Sequence, residues 1–319
     1  MYAIGEIILV VIGILIALSI NNWNESKISI KKTEHLLTQV HKELAFNINK
    51  ANNVINLYRR KDTLIYNVLH KKLNYNDYKS NTSYINLLRG STEANIVNDA
   101  FTALIDNQDL IIPEQDSILK KLRHLYGTDK REVDLFDEYT VNNVMNKVKI
   151  LGTKGWLYDN HVNKMASDEQ IAYYLTDPSY LGEVTEFKIR HFLDHKRYTV
   201  IFRDHAKEIY NELSDNLTIE KDTSIVKNMK DYEHYLGTYV SENGIINSEI
   251  KIKNENFIWS WQNVNDTTQF GEWKIYPESK TNFTFPFGSF GRLVYDENKQ
   301  VSGFIRSEGD RRQEYIRKD

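Results

Sequence analysis

The chain has 319 residues, a formal net charge of −3 and a mean hydropathy of −0.54, which indicates a largely water-soluble protein of about two domains. Its slightly acidic balance offers no basic surface to a polyanion, so we expect no nucleic-acid partner. The absence of cysteine excludes disulfides, thiolate metal sites and a cysteine nucleophile.

The first twenty residues form an apolar run, MYAIGEIILVVIGILIALSI, in which Glu6 is the only charged residue. A helix needs roughly 20 such residues to cross the core of a bilayer. We therefore predict a transmembrane helix over residues 1–22 that contacts the lipid bilayer directly. A cleaved signal peptide needs a basic segment before the apolar run, and the first basic residue here is Lys27. Trp23 follows where interfacial aromatic residues are expected.

Two features of the anchor suggest more than insertion. Gly13 and Ala17 are four residues apart, and small residues at that spacing let two membrane helices approach closely, so a homo-oligomer through this helix is one expectation. Glu6 places an intramembrane charge near the start of the helix, which is costly and therefore a functional hypothesis. The alternatives are that the small residues have no special role and that Glu6 reaches the interface.

The segment from Tyr2 to Glu25, YAIGEIILVVIGILIALSINNWNE, resembles the N-terminus of a family of uncharacterised single-pass membrane proteins of Bacteroidota, known only as a domain of unknown function. A weaker similarity continues through residues 100–105 and 116–119 to Leu125 and Tyr126. The resemblance implies an inner-membrane anchor with a periplasmic body. It supplies no catalytic residues, because none are established for the family.

Orientation can be argued in two directions. Lys27, Lys31 and Lys32 follow the apolar run, and the positive-inside rule would place the body in the cytoplasm. Family members carry a basic stretch before the apolar run that this sequence lacks. We expect a periplasmic body, on the interpretation that the native chain begins upstream of Met1.

Residues 23–214 are predicted to form an all-α helical bundle. Apolar residues recur every three or four positions from Leu37 to Tyr58, which is typical of a helix with one buried face. We expect further helices at 95–107, 117–126, 133–150, 168–175 and 183–213, with Gly127 as a helix stop. The helix that contains Leu37 to Tyr58 could be the first helix of a bundle or a stalk. Its apolar stripe is not a strict heptad, which favours the bundle.

The periodicity changes after a polar linker at residues 215–231. Residues 232–319 contain seven or eight short runs rich in β-branched and aromatic residues, separated by turn signals such as Glu242-Asn243-Gly244. These runs predict a small antiparallel β-barrel or sandwich, which makes the whole chain α+β. The segment is similar to small lipocalin-like β-domains, including those appended to some bacterial serine hydrolases, whose catalytic motifs are missing here.

Three histidines form the best metal-like pattern. His191 and His195 are four residues apart and would share a helix face, and His205 lies ten residues further along. This set underlies one hypothesis, a metal-dependent hydrolase. The alternative is that the histidines border a packed helix, because no third ligand or zinc-protease motif is evident. We assign no catalytic residue and no cofactor.

Aromatic residues are concentrated in the β-domain. Trp259, Trp261, Trp273 and Phe285 could line a cup for a small apolar ligand, a peptide or a glycan. The alternative is that they form the domain's own core, since side chains fill a barrel this small.

Three functional hypotheses follow. The first is a non-catalytic, membrane-anchored envelope protein that binds or scaffolds an unknown protein, peptide or glycan. The second is the hydrolase that uses His191 and His195. The third is a transmembrane signal relay through a dimerising anchor helix, and we rank them in this order.

Overall fold

The computed structural model describes residues 2–111 and 113–318, with side chains described from Leu9 onward except that of Glu114. It contains a long N-terminal helix, further helices, and a nearly closed antiparallel barrel of nine strands at the C-terminus. The predicted α+β class is therefore confirmed.

Helix α1 spans Tyr2–Leu69 without a break and is about 100 Å long. Its apolar start is exposed, and the first buried residue from Leu9 onward is Thr33, about 20 Å along the axis from Ile20. By length and composition this is a helix that can cross a membrane. From Leu37 onward one face is buried in the helical core, which agrees with a bundle helix and not with an isolated stalk.

The other α-helices surround the second half of α1. They are α2 Tyr75–Ser80, α3 Thr82–Ile85, α4 Asp99–Asp106, α5 Asp116–His124, α6 Lys130–Thr153, α7 Trp156–Tyr158, α8 Asp168–Thr176, α9 Pro178–Phe187 and α10 Lys196–Asn216. Local sequence explains the start of α9. The side chain of Asp177 accepts a hydrogen bond from the amide of Ser179, and Pro178 at the first helical position has no N–H that needs a partner.

Within the described residues, three helical segments are π-helical, with wider turns than an α-helix: Leu125–Asp129, Asp159–Asn163 and Lys188–His195. The first joins α5 to α6 and the third joins α9 to α10. The expectation that a helix ends at Gly127 is therefore wrong. Buried Tyr126 and Val133 lie on either side of that glycine, and their packing overrides its weak helix propensity.

The barrel strands are β1 Gly237–Ser241, β2 Ile246–Lys253, β3 Asn256–Asn263, β4 Phe270–Lys274, β5 Tyr276–Pro277, β6 Asn282–Thr284, β7 Phe290–Tyr295, β8 Val301–Glu308 and β9 Arg311–Arg317. All pairings are antiparallel, in the order β4-β3-β2-β1-β9-β8-β7-β6-β5. Since β4 and β5 are consecutive in the chain, the two edges of the sheet lie close together. Alternate side chains point inward and form a second core, separate from that of the helices.

The barrel is attached to the helices by both apolar and ionic contacts. Phe290 points outward from the barrel and packs in the helical core against Phe192. Buried Arg203 of α10 binds Glu278 and Thr284, and Arg59 of α1 binds the same Glu278. Burial would raise the pKa of Glu278, but Arg203 and Arg59 outweigh it and lower that pKa to about 2. The carboxylate therefore stays ionised at neutral pH.

Candidate functional site

The structure does not assemble into one ligand set the three histidines that the sequence groups together. His191 and His195 lie in the π-helical segment Lys188–His195, and His205 lies ten residues after His195, in α10. Residues four apart share a face of an α-helix and also stay close in a π-helix, so the turn type does not part His191 from His195, but the two rings have different surroundings and His205 lies on α10. Among the described residues the three do not form one ligand set.

His195 lies at the centre of a buried polar network. Its Nδ1 is 2.7 Å from the hydroxyl of Tyr58, and its Nε2 is 2.7 Å from Oδ1 of Asp137. Asp137 also accepts the backbone amides of Ala94 and Asn95, each at 3.0 Å. Both ring nitrogens are thus occupied by protein groups, and the network positions the loop before α4.

His191 is buried in an apolar setting. Its ring stacks on Phe187 with centroids 4.5 Å apart, and neither ring nitrogen has a hydrogen-bond partner in the described residues. Burial, followed by the charges of His195, Lys61 and Lys147, lowers the pKa of His191 to about 3. The imidazole is therefore neutral at physiological pH. Half-buried His205 instead lies beside Asp129 and His124.

The four aromatic residues assigned to a ligand cup all face the barrel interior. Trp259 and Phe285 are fully buried, while Trp261 and Trp273 are partly exposed. Trp259 pairs with Trp273 across β3 and β4, and Trp261 pairs with Gly271. A Cβ atom at Gly271 would lie 2.9 Å from Nε1 of Trp261, so this glycine makes room for the indole.

Arg306 also belongs to this cluster, and it is not among the residues predicted from the sequence. Its guanidinium carbon lies 5.0 Å from the ring centroid of Trp273, 5.2 Å from that of Phe285 and 5.7 Å from that of Trp259. Its Nη2 donates to Ser289 at 3.2 Å. Alternation along β8 could have revealed it, because Arg306 follows inward-facing Phe304 by two residues.

The same region contains polar groups without partners. Nε1 of Trp259 and Nε1 of Trp261 are buried and have no hydrogen-bond acceptor within the described part of the chain. A buried unpaired donor costs about 1–3 kcal/mol and calls for an explanation. Together with Arg306, these indoles present hydrogen-bond donors and a positive charge among aromatic rings, which suits a carboxylate attached to a flat or apolar group.

We call this set the rim site: Trp261, Trp273 and Arg306, with Trp259 and Phe285 beneath. It lies at the end of the barrel where β3 finishes and β4 begins. The opposite end is closed by Tyr235, whose ring contacts Phe257 and Phe283.

The residues singled out in the anchor lie on the exposed part of α1. Ala17 is exposed, and a Cβ atom at Gly13 would have nothing within 4 Å. The side chain of Glu6 lies outside the described residues.

Comparison with known proteins finds a match to a family whose function is unknown. Residues 6–103 match a family of unknown function (DUF6090). This match covers most of α1 and continues into α4, and it includes neither the barrel nor α10. No curated protein and no solved structure matches the chain.

Proposed function

We propose that this is a membrane-anchored, non-catalytic binding protein of the bacterial inner membrane, with its body in the periplasm and the rim site as its recognition surface. The proposed ligand is an envelope peptide or glycan that carries a carboxylate. Lipid would surround residues 1–22, and the barrel would be held away from the membrane by the helical body.

One observation carries the ligand proposal: the indole N–H groups of neighbouring Trp259 and Trp261 are buried without acceptors in the described residues, and the guanidinium of Arg306 lies 5.7 Å from the ring centroid of Trp259. A carboxylate has two oxygens that can accept several donors, and charge-assisted hydrogen bonds are about twice as strong as neutral ones. Binding would satisfy donors that are otherwise unpaired, and the partly exposed Trp261 and Trp273 would cover an attached ring or aliphatic group.

The ligand test uses the full chain in lipid nanodiscs. Peptides with a free C-terminal carboxylate and oligosaccharides of uronic acids are titrated by calorimetry, each beside its amide or methyl ester. We expect one class to bind, the neutral derivative to fail, and Arg306→Gln to weaken binding at least tenfold. Arg292→Gln removes an exposed arginine from β7 and is the matched control. Equal binding by acid and ester would contradict the proposal.

The periplasmic location is supported by the resemblance of residues 2–25 to inner-membrane anchors, and the lysines at 27, 31 and 32 argue against it. Protease is added to intact spheroplasts that express the chain with its native upstream region and a C-terminal tag. Loss of the tag would support a periplasmic body. A tag that is cut only after lysis would place the body in the cytoplasm.

Association of two copies through Gly13 and Ala17 is a separate proposal. Both lie on the exposed part of α1 and are one helical turn apart. Cross-linking in bilayers should give a dimer that Gly13→Leu removes and Val11→Leu retains. A monomer in bilayers would exclude this association.

A further inference from the structure

A second polar cluster lies on the helical body, away from the rim site. It contains His124 at the end of α5, Asp129 at the end of the π-helical segment, and His205 in α10. One ligand atom from each residue lies within 4.8 Å of the other two. Nδ1 of His205 is 2.7 Å from Oδ2 of Asp129, and Nε2 of His124 is 3.5 Å from Oδ1 of the same carboxylate.

A π-helical turn of the backbone brings His124 and Asp129 together. In an α-helix, residues five apart point about 140° away from each other around the axis. Here the segment Leu125–Asp129 is π-helical, and the amide of Lys130 donates to the carbonyl of Leu125. The wider turn places Asp129 on the side of His124, facing α10. Such π turns are rare and are found frequently at functional sites.

We propose that His124, Asp129 and His205 bind one divalent transition-metal ion such as Zn²⁺. Two imidazoles and one carboxylate are ligands that such ions prefer, and bond lengths near 2.0–2.2 Å require ligand atoms a few ångströms apart. Small side-chain movements would bring the observed separations to that geometry.

The exposure of the three side chains indicates which kind of site this is. The Asp129 side chain is 7% exposed, whereas those of His124 and His205 are 59% and 44% exposed. Three protein ligands with a solvent-facing side leave a coordination position for water, unlike a closed structural site, in which the protein supplies all four ligands. Glu208, one turn after His205, adds negative charge nearby, although it is paired with Lys274 at 2.8 Å.

The proposed metal ligands are separate from the rim site, and they differ from the three histidines suggested by the sequence. The proposed ligand set keeps His205 and has His124 and Asp129 in place of His191 and His195. The sequence alone does not predict this set. His124 and Asp129 would point apart on an α-helix, and Asp129 and His205 are 76 residues apart in the chain.

The test measures binding of Zn²⁺ and Co²⁺ to the full chain in nanodiscs, purified with a tag that contains no histidine. We expect one equivalent of Zn²⁺ by elemental analysis and calorimetry, and Co²⁺ absorption bands of a low-coordinate site with nitrogen and oxygen ligands. Asp129→Asn and His205→Gln should each weaken binding by more than the 10- to 100-fold that loss of a supporting group costs.

Controls separate a metal site from a simple ion pair. His161→Gln and His35→Gln remove exposed histidines elsewhere and should leave binding unchanged. If buried Asp129 proves necessary for folding, exposed His124→Gln still tests the ligand set. Failure of the wild-type chain to bind Zn²⁺ or Co²⁺, or equal affinity in His205→Gln, would overturn the proposal and leave a salt bridge between α10 and the π-helical segment.

Discussion

The two ends of the barrel use aromatic and polar residues in opposite ways. At the closed end, Tyr235 packs against Phe257 and Phe283, and its hydroxyl reaches the carbonyls of Ser279 at 2.5 Å and Asn282 at 2.9 Å. At the rim, the indole N–H groups of Trp259 and Trp261 have no acceptor in the described residues.

This difference separates stability from binding within one small domain. A buried polar group that is satisfied contributes to folding, whereas one left unpaired lowers stability and remains available to a ligand. The closed end therefore holds the barrel together, and the rim retains donors that a ligand would satisfy. Substitutions at the two ends should affect different measurements.

The largest expected effect on stability is at the closed end. Tyr235→Ala removes a buried ring and should lower the free energy of unfolding by about 3–5 kcal/mol, as for other buried aromatic truncations. Denaturant unfolding of the full chain in micelles, followed by tryptophan fluorescence, measures the loss. A loss below that of Arg306→Gln would contradict the division between the two ends.

The closed end is also tied to the body through Glu278, the residue before Ser279. Glu278→Gln would remove the carboxylate that Arg59 and Arg203 share and leave Arg203 with Asp204, and breaking such a buried pair costs about 3 kcal/mol. The pKa of Glu278 is lowered to about 2, so its stabilisation is complete above the unfolded-state pKa near 4.3 and is lost as pH falls toward 2. Wild-type stability should therefore fall more steeply than that of Glu278→Gln below about pH 4.5. Parallel curves would exclude this role.

Gly271→Ala should have an intermediate effect. The added Cβ would lie 2.9 Å from Nε1 of Trp261, which forces the indole to move and costs about 1–3 kcal/mol as overpacking. The same change should weaken ligand binding at the rim, because Trp261 is displaced. Gly244→Ala is an unsuitable comparison because of its positive φ, whereas Gly182→Ala lies in helix α9 with open space around it and serves as the control. Unchanged Trp261 fluorescence in Gly271→Ala would contradict this packing.

Arg306→Gln should have the smallest effect on stability. Its guanidinium is partly exposed, makes ring contacts, donates to Ser289 and interacts with the hydroxyl of Tyr315, so we expect a change within about 1 kcal/mol. Chemical denaturation of this variant beside Arg292→Gln measures it. A loss as large as that of Tyr235→Ala would mean that Arg306 is a structural residue of the barrel.

The sequence predicted local periodicity well and long-range contacts poorly. The apolar stripe of α1 indicates a helix with one buried face, and the short β-branched and aromatic runs after residue 231 indicate antiparallel strands, because both follow from local repeats and turn signals. The π-helical segments cannot be read from such repeats, so Gly127 suggests a helix stop that the structure does not have. The partners of His195 and His205 lie in other helical segments, so no local pattern predicts which of the histidines come together. Arg306 lies outside the predicted set because a charged residue in a strand is ordinarily assigned to the solvent side.

The central claim is that the rim site binds a carboxylate through donors that are unpaired in the free protein. The most direct measurement is a nitrogen-15 spectrum of the five tryptophan indoles of the full chain in nanodiscs, titrated with the best carboxylate ligand. We expect the Trp259 and Trp261 indole protons to move downfield as they gain an acceptor, while those of Trp23 and Trp156, which lie outside the barrel, stay in place. Shifts that are absent from Trp259 and Trp261, or unchanged in Arg306→Gln, would contradict the account.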